Sequence, residues 1–286
     1  MNLRALRTLV EIDRVGSFAT VAERLGMTLS AVSVQMRTLE EELQFPLFDR
    51  RHRPPAMTPA AREVAAYARR ILAEVEELRA MGEEPGVLKG QIRIGFVATA
   101  SVRLLPAFLV AAAARQPKAH FTVESGVSAD LTRRVATGDL DAAVVTESPD
   151  LPPALSTQVL REEVFALAAP AKARGWTLQR CAAALPFIRF LPSTGIGLLV
   201  DRYLQAHAGT VRETVTLDSV EAVMGCVNAG LGFAVLPKPD AARYAARAAV
   251  SQLADPPLTR RLSLVAAAEG PNTAAAAVLA SLFDSD

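Results

Sequence analysis

Between Ser17 and Arg50 the chain reads SFATVAERLGMTLSAVSVQMRTLEEELQFPLFDR, two short helical patterns separated by a Gly-Met-Thr break. In the first, Phe18, Ala22 and Leu25 share an inward face behind Ser17, a good N-cap. Gly26 permits a tight turn, and Thr28 or Ser30 caps the second pattern. On a wheel of about 100° per residue, Val32, Met36, Leu39 and Leu43 fall in one apolar arc. Ser30, Ser33, Val34 and Arg37 cluster opposite, and Glu40–Glu42 follow at the far end. Next, in FPLFDRRHRPPAMT, Phe45, Leu47 and Phe48 anchor a loop from which Arg50, Arg51, His52 and Arg53 project.

Residues 58–82 form one long helical pattern. Thr58 is an N-cap and Pro59 sits at the first helical position, where its missing N–H costs nothing. Val64, Ala68, Ile71, Val75 and Leu78 then recur as an a/d seam flanked by charge, and Gly82, Pro85 and Gly86 end the pattern. A narrow seam of this kind predicts a partner helix.

From Leu88 strands and helices alternate. QIRIGFVA, AHFTVES and LDAAVVT read as strands around the helices SVRLLPAFLVAAAARQ and SADLTRRVATG. A second round runs PFIRF, TGIGLLVDRYLQAHA, VRETVTL, DSVEAVMGCVNAG and GFAVLP. The pattern predicts two α/β lobes with largely parallel sheets, the chain crossing near Leu155–Pro170 and returning near Leu258–Ala268. The predicted domains are 1–57, a linker or dimerisation helix over 58–86, and 87–286. Lobe I spans about 87–160 and 267–286, and lobe II about 161–266. Linked lobes leave a cleft where such folds bind small molecules.

Composition changes this picture little. The 286 residues carry a net charge of +1, which by itself suggests no nucleic-acid partner. Residues 1–60 hold eight Arg against seven acids, so the distribution of charge carries the signal rather than its sum. Every Lys lies beyond residue 88, which leaves Arg, suited to phosphate and guanine, as the cation of the N-terminal region. Two cysteines, Cys181 and Cys226, make no disulfide framework, and their apolar settings read as inert buried thiols. The start lacks a secretory signal and no uncharged apolar run reads as a membrane span, so a cytoplasmic protein is expected.

The chemistry follows from the first pattern. A short helix backed by a helical core, with small polar groups and an Arg in front, fits a DNA major groove. The cationic loop beside it reads as a wing for phosphate or minor-groove contact. In the lobes, hydroxyl residues fall at strand-to-helix turns: Thr99 and Ser101, Ser193 and Thr194, and Ser219 after Asp218, while Thr146 ends a buried strand. Each is also an ordinary N-cap candidate. Helix N-termini favour anions, so a small carboxylate is the expected ligand. Asp218 would oppose it unless offset by Arg189. His52, His120 and His207 are scattered without metal-ligand spacing, and no nucleophile elbow, phosphate loop or dinucleotide fingerprint appears. No metal, cofactor or catalytic residue is expected.

The stretch RALRTLVEIDRVGSFATVAERLGMTLSAVSVQMRTLEEELQFPLFDR resembles the N-terminal winged helix-turn-helix of LysR-type transcriptional regulators. GDLDAAVV and AGLGFAVLP resemble that family's effector-binding domain, built like a periplasmic solute-binding protein. The resemblance covers essentially the whole chain. It implies base-reading residues at Ser30, Ser33, Gln35 and Arg37, with further contacts from Thr28 and the Arg50–Arg53 wing. It also implies that the hydroxyl-bearing turns line the cleft. Leu29, Val34 and Thr38 stand where the family often carries Gln, Arg or His, and Arg. Val34 offers a thymine methyl contact in place of a hydrogen bond. The implied protein is a DNA-binding homodimer or homotetramer whose lobes close on a small effector and alter promoter contacts and RNA polymerase recruitment. Rival readings are a small-molecule binding protein whose N-terminal helices serve only for dimerisation, and an α/β enzyme, which lacks a nucleophile–base pair.

Overall fold

The computed structural model describes residues 2–52, 54–80, 86–148, 150–253, 257–268 and 272–284. It divides into two compact units, one holding residues 1–85 with 137–139, the other the remainder.

The first unit opens with α1 (Leu3–Val15), α2 (Phe18–Arg24) and α3 (Leu29–Leu43). Ser17 caps α2, and Thr28 rather than Ser30 caps α3, accepting from the Ala31 N–H at 3.1 Å. Gly26 takes φ +62° in the turn between them. Val32, Met36 and Leu39 are buried with Leu6, Leu9 and Ile12 of α1. On α2 the buried pair is Val21 and Ala22, and Leu25 stands exposed because the chain leaves the helix at that residue. Phe18 instead meets Phe48 edge-on at 4.9 Å. Strands β1 (Phe48–Asp49) and β2 (Ala56–Met57) pair antiparallel as a small wing. Thr58 then caps α4 (Pro59–Ala80) through the Ala61 N–H.

The α4 pattern divides its labour. Ala61, Ala65 and Ala68 are buried in the unit's core, where their small side chains let α4 lie close on α1. Arg69 fastens the two helices by an ion pair to Asp13 at 2.9 Å. The single seam expected from the sequence is therefore split: Ala68 is spent internally, while Ile71 and Leu78 stand open together with Tyr67.

The second unit begins with β3 (Gly90–Val97), α5 (Ala98–Arg115), β4 (Ala119–Gly126), α6 (Ser128–Ala136) and β5 (Ala142–Thr146). The long β6 (Leu155–Ala169) leads to α7 (Leu178–Ala184), β7 (Phe187–Phe190), α8 (Gly195–His207), β8 (Glu213–Leu217) and α9 (Val220–Asn228). Strand β9 (Ala234–Pro237), α10 (Lys238–Arg243), β10 (Ala249–Gln252), β11 (Thr259–Ala267) and α11 (Asn272–Ser281) complete it.

Two cores separate within this unit. One gathers Ile94, Phe96, Phe108, Leu131, Val144 and Phe283; the other Phe165, Phe187, Val200, Val223, Phe233 and Leu236. Strands β6 and β11 join them, crossing at the places the sequence pattern suggested. The expectation of largely parallel sheets needs correction. β3 pairs in parallel with β4 and β5, and β7 with β8, but β6 and β11 run antiparallel to each other and to β5, β9 and β10. A chain that passes out of one lobe and returns must run these two strands in opposite senses. β11 already pairs with β5 from Leu262, upstream of the 266/267 lobe boundary drawn from the sequence.

Helix α5 is long and apolar enough to cross a membrane by length and composition. Its Phe108, Ala111 and Ala112 are buried in the lobe, and mid-helix Arg103 is ion-paired to Glu163 and Asp240. These are the contacts of a core helix.

Candidate functional sites

Two places collect the predicted side chains. On α3, Thr28, Ser30, Val34 and Arg37 are exposed, with Val34 60% accessible, and Ser33 is half-buried with its hydroxyl donating to the Leu29 carbonyl at 2.9 Å. Thr28 and Ser30 hydroxyls lie 3.0 Å apart at the helix N-terminus. Gln35 is half-buried and turned inward: its Oε1 accepts from the buried Thr8 of α1 at 2.8 Å. Arg37 makes no ion pair among the described residues.

The wing is less free than its sequence suggests. Arg50 is paired with Glu40 at 2.6 Å, and Arg51 with Asp49 at 2.6 Å. Glu40 was expected at the far end of α3, away from the cations. Instead its carboxylate turns onto the wing and also accepts the Leu47 and Phe48 N–H groups at 2.8 and 3.0 Å. The Arg51 guanidinium holds the Asp49 carboxyl well below the usual carboxylate range. Arg53 lies outside the described residues.

The second place is a small cavity between the lobes of the second unit, about 50 Å³ in volume. Residues at the N-termini of α5, α6 and α8 meet there. Its walls are largely apolar, with Val97, Val127, Phe190, Leu191 and Ile196. Thr99, Thr146 and Thr194 line it together, with Ser128, which sequence reasoning missed. Ser128 carried a signal of its own, since it is the hydroxyl residue at the start of the SADLTRRVATG helix. Ser101, Ser193, Asp218 and Ser219 lie outside the lining. Ser101 bonds the Ala98 carbonyl of its own helix, Ser219 caps α9, and Ser193 and Asp218 are exposed. Arg189 does not offset Asp218; it is held by Asp201 and by Glu213. The lobes approach closely: a Cβ on Gly195 of α8 would stand 3.4 Å from Thr146.

A buried ionic quartet lies behind the lining. Arg260, 2% exposed, donates to Glu163 at 2.7 and 2.9 Å and to Asp240 at 3.3 Å. Arg103 bonds the same two acids at 2.5 and 2.7 Å. Two cations and two anions balance, as burial demands. Burial pushes the Asp240 carboxyl up, against the pull of Arg103 and Arg260, and pushes the Arg260 guanidinium down, against Glu163 and Asp240. Arg260 also reaches the lining itself, donating to Thr99 Oγ1 at 2.9 Å and Thr146 Oγ1 at 3.4 Å. Nothing local in the sequence marks this quartet, whose members are separated by 20 to 137 positions where they bond each other. Among the described residues no group of His, Cys, Asp and Glu is arranged to hold a metal ion.

Comparison with known proteins gives the same division. Residues 3–62 match the family model described as bacterial regulatory helix-turn-helix protein, lysR family, and residues 85–285 match LysR substrate binding domain. The chain is 30% identical over 271 residues to the nitrogen assimilation regulatory protein nac of Escherichia coli K12, covering 92% of this chain and 88% of that protein. It is 28% identical over 239 residues to the HTH-type transcriptional regulator YofA of Bacillus velezensis, covering 84% and 81%. In fold it is similar to a full-length OxyR variant from Pseudomonas aeruginosa, with TM-score 0.81, 23% identity and coverage of 99% and 94%. A full-length CbnR solved with its target DNA matches with TM-score 0.65, 19% identity and coverage of 99% of both chains. An N-terminal helix-turn-helix with an exposed α3 face, joined to two lobes around a cavity, makes this chain a member of the LysR family of transcriptional regulators, with a DNA-binding domain and an effector-binding domain.

Proposed function

We propose that the exposed face of α3 reads operator DNA through Ser30, Ser33, Val34, Gln35 and Arg37, with Thr28, Arg50, Arg51 and Arg53 contacting the backbone. The observation that carries this reading is Arg37, an exposed cation on the groove-facing side of α3 without an ion pair among the described residues. Val34 supplies an apolar contact suited to a thymine methyl. The open side of α4, with Tyr67, Ile71 and Leu78, suits pairing with a second copy, which doubles the half-sites engaged.

The cavity between the lobes binds a small carboxylate at the N-termini of α5, α6 and α8, with Thr99, Thr146, Ser128 and Thr194 in contact. Ligand-dependent closure of the lobes shifts the balance between two DNA-bound states, which changes RNA polymerase recruitment. A coupling of about 1–3 kcal/mol is enough for such a switch. The protein works in the cytoplasm and catalyses no reaction.

A footprint of the purified protein upstream of its own gene tests the reading. Protection is expected at paired half-sites about one helical turn, or a multiple of it, apart. Arg37→Ala should abolish the sequence-dependent protection while salt-sensitive binding remains. Unchanged protection with Arg37→Ala would overturn the assignment of α3 as the reading helix.

A further inference from the structure

Each crossing strand changes lobes over one short stretch. β6 leaves the first core after Leu160 and enters the second at Phe165; the β11 segment leaves the second after Leu258 and regains the first at Leu262. Between those points Glu163 and Arg260 stand opposite each other in the β6–β11 register, and both are buried. The seam between the two apolar cores is therefore occupied by charge. Two helices reach into it from opposite sides. Arg103 comes from α5, beside Leu104 and Leu105 of the first core, and Asp240 from α10, beside Ala241 of the second.

We propose that this quartet is a hinge latch between the lobes: its moving bond is the Arg103–Asp240 ion pair, and Glu163 with Arg260 forms the fixed pivot. This goes beyond the effector reading and holds whatever ligand the cavity takes. Continuous hydrocarbon packing across the seam would weld the lobes, because close-packed interiors do not deform gradually. A charged seam can exchange partners, provided no buried charge is left alone.

The connectivity meets that condition. Arg103 spans both acids, with Nε on Asp240 at 2.7 Å and Nη2 on Glu163 at 2.5 Å. When α10 swings away from α5, Arg103 keeps Glu163, and Asp240 keeps Arg260 at 3.3 Å. Glu163 and Arg260 share two bonds, at 2.7 and 2.9 Å, across neighbouring strands, so they need not move. Arg260 also donates to Thr99 in the first turn of α5, which keeps that helix with the pivot. Exposure divides the two cations the same way: the Arg103 side chain is 17% exposed and that of Arg260 0%. Water reaches the latch before the pivot.

The test is the distance between the lobes, read by double electron–electron resonance on the full chain with no ligand added. Spin labels go on Arg133→Cys in α6 and Arg202→Cys in α8, exposed positions on helices packed in different cores. Cys226→Ala removes the half-buried native thiol, Cys181 is buried, and dilution into unlabelled chain suppresses distances between copies. The charge-balanced pair Arg103→Gln with Asp240→Asn should lengthen the mean separation by several ångströms and widen its distribution. Glu163→Gln with Arg260→Gln, which leaves the latch intact, should lower the urea midpoint and keep the mean separation. Should the first pair fail to fold, Arg103→Lys keeps the charge without the fork that spans both acids, and should populate both separations.

An unchanged distance distribution in the folded Arg103 pair, or in Arg103→Lys, overturns the latch and makes the quartet a static brace. Equal lengthening in the Glu163 pair overturns the choice of moving bond. No ligand enters the measurement, so failure of the carboxylate reading leaves either result standing.

Discussion

Thr8 of α1 donates a hydrogen bond of 2.8 Å to Gln35 of α3, so a side chain in the middle of the proposed reading helix is oriented from the helix behind it. Thr8 is 1% exposed and never meets the groove itself. Replacing it with Val keeps the shape and removes the bond. The expected cost is roughly 0.5–1.5 kcal/mol of stability, together with a severalfold loss of discrimination between operator and random DNA. Urea unfolding and competition gel shifts measure the two; unchanged discrimination would mean that Gln35 does not read bases.

The arginines of the DNA-binding unit should differ in worth. On the proposed reading Arg37 would meet DNA without first giving up an ion pair among the described residues, whereas Arg50 and Arg51 would have to leave or share Glu40 and Asp49. Arg37→Ala is expected to cost about 1–3 kcal/mol of specific binding. Arg50→Ala and Arg51→Ala should each cost less and act evenly across sequences. Fluorescence anisotropy at several salt concentrations separates these cases through affinity and salt slope.

Glu40 joins α3 to the wing through two backbone N–H groups and Arg50. Its carboxylate is largely buried, at 12% exposed. Glu40→Ala leaves two donors without an acceptor, so a loss of roughly 1–3 kcal/mol is expected. Denaturant midpoints read the loss, and the Leu47 and Phe48 amides should exchange faster in the variant.

The Asp49–Arg51 contact should respond to acid in one direction only. Its carboxyl is depressed in the folded wing relative to an ordinary carboxylate of 3.8. The contact therefore contributes fully above that ordinary value and is lost as pH falls below it, through the folded value. The Asp49 side-chain carboxyl ¹³C shift should stay that of the ionised form as pH falls from neutral to the ordinary value of 3.8 and change only in stronger acid. A transition above 3.8 would contradict the assigned pairing.

Gly197, in the first turn of α8, has no space for a side chain: a Cβ would stand 2.7 Å from Pro192 Cα. Gly197→Ala must push the helix N-terminus away from the cavity. A destabilisation of about 1–3 kcal/mol is expected, along with weakened ligand binding. Calorimetry reads the stability, and ligand-observed NMR with a short carboxylate such as propionate reads the binding.

Much of this protein was written locally. The caps at Ser17, Thr28 and Thr58, the Gly26 turn, the Val32–Met36–Leu39 arc and the alternation of strands and helices each depend on residues within a few positions of one another. Such signals survive in a linear string because helix and strand periods are short. The α3 face and the family itself were legible for the same reason. Other features needed tertiary structure. Leu25 stands exposed because the chain leaves α2 there, Ile71 because α1 covers another face of α4, and the antiparallel sense of β6 and β11 follows from a chain that leaves a lobe and comes back. Of the candidate hydroxyl residues, packing brought Thr99 and Thr194 at helix starts and Thr146 at the end of β5 to the cavity and left Ser101, Ser193 and Ser219 elsewhere. Glu40 found the wing by folding of the α3 end onto it. Arg260, Glu163, Asp240 and Arg103 came together from four separate elements. A charge must find its opposite once both are buried, but which opposite it finds depends on which strands and helices are neighbours. No spacing in the chain encodes that choice.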